Sequence, residues 1–129
     1  MTKVIICTDK APKAVGPYSQ GVSVRAERLV FTAGQIALDP KTGEIVEGGI
    51  EKQTLRVIEN LRAVLEAAGT GLEHVLKTTV FLKHMDDFQK MNRIYETFFK
   101  AGAPARSTVE VSSLPRDVLV EIECVAEIP

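Results

Sequence analysis

Residues 104–126 read PARSTVEVSSLPRDVLVEIECVA. Two alternating segments flank a turn signal, Leu114-Pro115-Arg116-Asp117, and the pattern predicts a β-hairpin. In the first segment Arg106, Thr108 and Glu110 share one face, and Ser107, Val109 and Val111 the other. In the second, Val118, Val120, Ile122 and Cys124 share a face, and Glu121 and Glu123 point away from it. Alternating charge on a strand is the ordinary mark of a solvated sheet face. An arginine at the mouth of one strand with glutamates on the next also suits a small acid. The guanidinium fork matches two carboxylate oxygens, which makes Arg106 the natural clamp.

The remaining chain supplies what this stretch packs on. Lys3 to Cys7 is a short apolar run that suits a first strand, and Asp9 to Pro17 is a loop with Pro12, Gly16 and Pro17. Tyr18 follows it directly, and loops carry a large share of function. Gly21 to Arg25 alternates weakly. Arg28 to Leu38 alternates more strongly, and its interior Gly34 marks a bulge or a close approach of backbone or ligand. Asp39-Pro40-Lys41-Thr42-Gly43 is a turn, after which Glu44 to Val46 returns as a short strand.

Ile50 to Ala68 has the helical spacing of Leu55, Ile58, Leu61, Leu65 and Ala68, widened by Val57 and Val64 and stopped at Gly69. Val75 to His84 alternates, and its more apolar set, Leu76, Thr78, Val80, Leu82 and His84, is expected to face the helices. Asp86 is expected to cap a second helix, with Gln89 three residues on. That helix carries Phe88, Met91, Tyr95 and Phe98 at helical spacing, Asn92 beside the stripe, and Gly102 and Pro104 at its end.

The predicted architecture is α+β: a mixed sheet of about six strands with two helices packed on one face, in a single domain over residues 1–129. The other face, assigned Phe31, Phe81, Thr79 and Thr108, is too apolar to leave fully wet, so self-association is expected.

Composition narrows the function. Of 129 residues, 45% are hydrophobic and 26% charged, and the formal net charge is -1. That balance gives no global attraction to nucleic acid or to an anionic membrane. Cys7 and Cys124 lack metal-ligand spacing, and His74 and His84 have no partner at such spacing, so no metal is expected. No apolar run reaches the length of a membrane span, and the N-terminus has no basic segment leading into an apolar one. A cytoplasmic protein is expected.

Several segments together carry a resemblance. GPYSQG at 16–21, FTAGQI at 31–36, the turn at 39–43, KTTVFLK at 77–83, PARSTVEV and LPRDVLVEIE stand in the order seen in the Rid/YjgF proteins. The chain resembles, over nearly its whole length, the RidA group of reactive-intermediate (enamine/imine) deaminases. The resemblance implies a chorismate-mutase-like fold and a homotrimer with sites between subunits. It implies hydrolysis of 2-iminobutanoate and 2-iminopropanoate to 2-oxo acids and ammonia, without cofactor or metal. It assigns Arg106 to the substrate carboxylate and Glu121 to the reacting water, with Tyr18, Gly34, Asn92 and Thr108 lining the cleft. Two residues depart from the common pattern: Thr108 stands where many relatives have cysteine, and Ala33 where many have serine. The alternatives are a metabolite-binding or chaperone-like protein, which would bind a 2-oxo acid without turning over an imine, and an endoribonuclease or translation inhibitor, which the missing histidine pair and basic excess disfavour.

Overall fold

The computed structural model describes residues 3–129. Six strands and two helices follow one another as β1 (Val4–Ile6), β2 (Gly21–Ser23), β3 (Leu29–Phe31), α1 (Ile50–Ala67), β4 (Val75–Leu82), α2 (Phe88–Phe98), β5 (Ala105–Glu110) and β6 (Val120–Glu127). The strands are divided between two sheets. β1 and β2 form an antiparallel ribbon, and the other four run in the order β3-β6-β4-β5. A single bridge from Ser19 to Ala105 ties the approach to β2 onto β5.

The expected hairpin is not formed. β5 pairs in parallel with β4, β6 pairs antiparallel with both β4 and β3, and β4 therefore lies between the two segments. The turn at Leu114–Asp117 exists, but it sits within a longer connection that crosses the end of β4. There Val111 N–H donates to Leu82 O, and Lys83 N–H donates to Leu119 O. Turn residues specify that a chain reverses; which strand fills the gap is decided by burial. β4 and β6 are the two long strands with a continuous buried face, and they take the two inner places, where both edges are paired.

Alternation places the core as expected. Thr78, Val80 and Leu82 of β4 and Val120, Ile122, Cys124 and Ala126 of β6 are buried on the helix side. They meet Val57, Ile58, Leu61 and Leu65 of α1 and Met91 and Tyr95 of α2. α1 ends where Gly69 takes a positive φ of 93°. Leu55, counted in its apolar stripe from the sequence, remains exposed. Instead the helix buries Gln53, whose Oε1 accepts the Leu119 N–H, and Thr54, whose hydroxyl donates to Ile50 O.

α2 starts one residue later than its expected cap. Asp86 lies in a short 3-10 turn, Asp87 occupies the N-cap position, and neither supplies a side-chain cap. Backbone and a distant carboxylate satisfy this end instead: Asp87 N–H donates to His84 O, and Met85 N–H donates to Glu110 Oε1 at 2.7 Å.

The segment after β3 is bulged. Thr32 N–H donates to Cys124 O and Gln35 N–H to Ile122 O, so this strand advances three residues while β6 advances two. The Thr32 hydroxyl accepts the Cys124 N–H at 3.0 Å, closing the gap in the ladder. Gly34 lies inside the bulge, as its interior position in the sequence implied.

On the sheet face away from the helices, Phe31 is 70% exposed and Val109 42%, with Phe81 half-buried. Thr108 does not belong to this face. It pairs with Val80, a fully buried residue of the helix side, so its side chain points the same way. Ser107 and Val109 take the outer positions instead.

Candidate active site

Arg106 is the centre of a neutral cage. Its Nη1 donates to Asn92 Oδ1 at 2.7 Å. Its guanidinium carbon lies 4.8 Å from the Tyr95 ring centroid, 5.5 Å from Phe88 and 5.6 Å from Tyr18. Phe88, Asn92 and Tyr95 come from α2 at positions i, i+4 and i+7, one face of a helix. Tyr18 comes from the loop before β2. Gln20 anchors that loop, its amide nitrogen donating to the carbonyls of Thr8, Ala11 and Pro12 and its oxygen accepting the Thr8 N–H.

Among the described residues no carboxylate pairs with Arg106. Burial lowers its pKa from the ordinary value, with Tyr95 and Tyr18 opposing the shift, and an arginine remains charged at neutral pH regardless. A half-buried cation with most of its donors unused and aromatic faces around it is ready to receive an anion. Aromatic attraction offsets part of the desolvation without consuming the fork.

Asn92 fixes one edge of that fork. Because a guanidinium only donates, the amide must turn its oxygen inward. Tyr95 is fixed in turn by Thr78, whose hydroxyl lies 2.7 Å from the tyrosine oxygen in the core. Thr108 is two residues along β5 on the same side as Arg106, and its Oγ1 is buried without a hydrogen bond.

Glu121 and Gly34 make a separate place. The Gln35–Ile122 bridge presses the bulge against β6. A Cβ on Gly34 would lie 2.8 Å from Glu121 Cδ and 3.0 Å from Cγ, so the carboxylate rests directly on the glycine backbone. Among the described residues no hydrogen bond or ion pair engages the Glu121 carboxylate. Within one chain Glu121 is not beside Arg106. Arg106 pairs with Thr78 and Thr78 with Cys124, whereas Glu121 pairs with Phe81, on the opposite face of the sheet.

The residues named from the sequence therefore form two groups: Arg106, Asn92, Tyr18 and Thr108 in one, Glu121 and Gly34 in the other. Phe88 and Tyr95 were read from the sequence only as packing residues of a helical stripe. The signal that could have marked them is their i, i+7 spacing around Asn92. Neither histidine joins either group: His74 lies against Glu73 and Glu127, and His84 is exposed. Among the described residues no cluster of three or more potential metal ligands occurs. None of their helices is long and apolar enough to cross a membrane.

A family model described as endoribonuclease L-PSP matches residues 8–128. A RutC family protein of Pyrococcus abyssi is 55% identical over 126 residues, covering 98% of each chain. A 2-iminobutanoate/2-iminopropanoate deaminase of Mus musculus is 45% identical over 122 residues, covering 95% of this chain and 89% of its own. The crystal structure of E. coli TdcF with bound serine superposes with a TM-score of 0.73 at 42% identity, covering 96% of this chain and 98% of the other. Similarity of sequence over nearly the full length, the α+β architecture and its bulged, glycine-bearing strand lead to one assignment: this chain belongs to the Rid/YjgF family.

Proposed function

We propose that the protein is a hydrolytic deaminase of 2-imino acids, converting 2-iminobutanoate or 2-iminopropanoate and water to the 2-oxo acid and ammonia. The observation that carries this reading is the half-buried Arg106, caged by three aromatic rings and lacking a carboxylate partner among the described residues. Such a group can receive one planar anion on its guanidinium fork. The deaminase name of the mouse relative and the serine held by the E. coli relative support a ligand of α-amino-acid shape.

The chemistry asks little beyond positioning. A protonated imine is already electrophilic at C2. Arg106 holds the carboxylate and Asn92 sets the angle of the fork, which turns a random encounter into an oriented one. Glu121 takes a proton from water as oxygen adds to C2 and returns it to nitrogen; the C–N bond then breaks as the C2 hydroxyl gives its proton back to Glu121 and the carbonyl forms, releasing ammonia. Tyr18 and the Thr108 backbone N–H border the ligand.

Both groups reach one substrate when two copies meet. Arg106 lies on the helix side of edge strand β5 and Glu121 on the outer face, so the active site is composite, with the clamp from one subunit and the acid–base group from the next. The outer face bearing Phe31 and Val109 is the contact surface. A repeated head-to-tail contact closes into a ring, here a homotrimer in the cytoplasm.

The test is a coupled assay in which a threonine dehydratase generates 2-iminobutanoate and semicarbazide competes for it. Wild type is expected to speed loss of the imine. Arg106→Ala is expected to lose about 2–5 kcal/mol of transition-state binding, or roughly 30- to several-thousand-fold in kcat/KM. No acceleration by wild type, with 2-oxobutanoate still bound, would replace the deaminase with a metabolite-binding protein.

A further inference from the structure

We infer that Tyr95, tethered by Thr78, is a positioning residue for the carboxylate clamp: its ring face sets the plane of the Arg106 guanidinium and stands in for a counter-ion. The inference rests on the clamp reading above and gives one ring of that cage a distinct role.

Three observations converge on Tyr95. It is the nearest of the three rings, 4.8 Å from the guanidinium carbon. It is fully buried, so its position is set by the core and not by solvent. Its two remaining contacts fix the ring from other sides: the hydroxyl meets Thr78 Oγ1 at 2.7 Å, and Phe99 stacks at 4.5 Å between centroids with a 37° tilt. Thr78 belongs to central strand β4 and is paired on both edges, with Arg106 of β5 on one side and Cys124 of β6 on the other. The strand residue directly beside Arg106 thus holds the ring above it. Arginine, threonine and tyrosine form a closed triangle in which the arginine is the only charged member.

The lack of a charge matters. A carboxylate placed where Tyr95 stands would occupy the fork and oppose an incoming acid. An aromatic face attracts the cation weakly and leaves its in-plane N–H groups free for the ligand. Tyr18, by contrast, comes from the loop before β2 and is only half-buried. Tyr95 is the fixed wall.

The test measures binding of 2-oxobutanoate by calorimetry, a readout independent of imine hydrolysis. Thermal stability and assembly are recorded for every variant. Tyr95→Phe keeps the ring but loses the Thr78 tether, and is expected to bind more weakly than wild type and more tightly than variants without the ring. Tyr95→Leu and Tyr95→Met lose the ring and are expected to bind about 3- to 30-fold more weakly, the range of a partly desolvated cation–π contact. Wild-type affinity in a folded Leu or Met variant would overturn the inference. Failure of wild type itself to bind would instead remove the clamp.

Should neither Leu nor Met variant fold, ultraviolet difference spectra decide. The chain has two tyrosines and no tryptophan. A carboxylate docking on Arg106 is expected to perturb tyrosine absorption in wild type by an amount that Tyr95→Phe reduces. Identical difference spectra for the two proteins would overturn the inference.

Discussion

Arg106 and Glu121 stand on opposite faces of one sheet, displaced by three positions of register through Thr78, Cys124 and Phe81. Three residues of strand are roughly 10 Å of length. No rotamer of either side chain carries it through a packed sheet to the other.

Complementation follows from that separation. Arg106→Ala and Glu121→Gln are each expected to lose at least about 30-fold in kcat/KM. Unfolded together and reassembled in equal amounts, they are expected to form mixed rings of the proposed assembly, in some of whose sites an intact clamp faces an intact glutamate. With random mixing, a head-to-tail trimer recovers about a quarter of wild-type activity. Recovery is read in the semicarbazide assay. Mixtures no more active than their parents would place both groups' chemistry within one subunit.

Gly34 controls where the glutamate sits. Gly34→Ala forces the Glu121 carboxylate off the backbone it rests on. The end of a glutamate side chain swings away cheaply, so stability should change by less than about 1 kcal/mol. Misplacement of the acid–base group by an ångström costs about 100-fold in rate, and the loss should fall on kcat. A change confined to KM would assign Gly34 to binding alone.

Thr108 carries a buried hydroxyl with no hydrogen bond. An unpaired buried polar atom costs about 1–3 kcal/mol. Thr108→Val keeps the shape, removes the orphan and favours a strand. It is expected to raise stability by about 1 kcal/mol in urea titration. Activity is expected to persist, because the proposed ligand contact at this residue is made by the backbone N–H. A large loss of activity would show that the hydroxyl itself is used.

Tyr95 also gives a pH dependence of stability. Burial pushes its pKa up from 10.0 to about 12, with the Thr78 bond and the Arg106 charge opposing. The unfolded chain ionises this tyrosine near pH 10 and the folded protein near 12. The stabilisation is therefore complete below pH 10 and is lost as pH rises through 12. Its size is of the order of 2–3 kcal/mol. Comparison of wild type with Tyr95→Phe in alkaline titrations should show the steeper decline in wild type. Parallel curves would remove Tyr95 from the linkage.

The sequence made the elements legible and left their adjacency open. α1, β4 and β6 were readable because each has one periodic apolar face, and the bulge was signalled by Gly34. The insertion of β4 between β5 and β6 was not readable, since Leu114–Asp117 looks the same in a tight hairpin and in a longer crossing. Thr108 was assigned to the wrong face for the same reason: alternation fixes relative sides, and the pairing with Val80 fixes the absolute one. Of the site, Arg106 and Asn92 were legible through resemblance and meet in the structure. The cage was hidden because Phe88 and Tyr95 pack with the core and face Arg106 at once.

The placement of β6 also bears on how the chain is made. β6 joins β3 to β4, and without it the two share no ladder. A ribosome has to deliver Val120–Glu127 before the sheet can close around its centre. Until then α1 and β4 expose their apolar faces to whatever else is nearby. Long-range pairing of this kind slows folding, and a chain that ends before Val120 lacks the strand that joins β3 to β4.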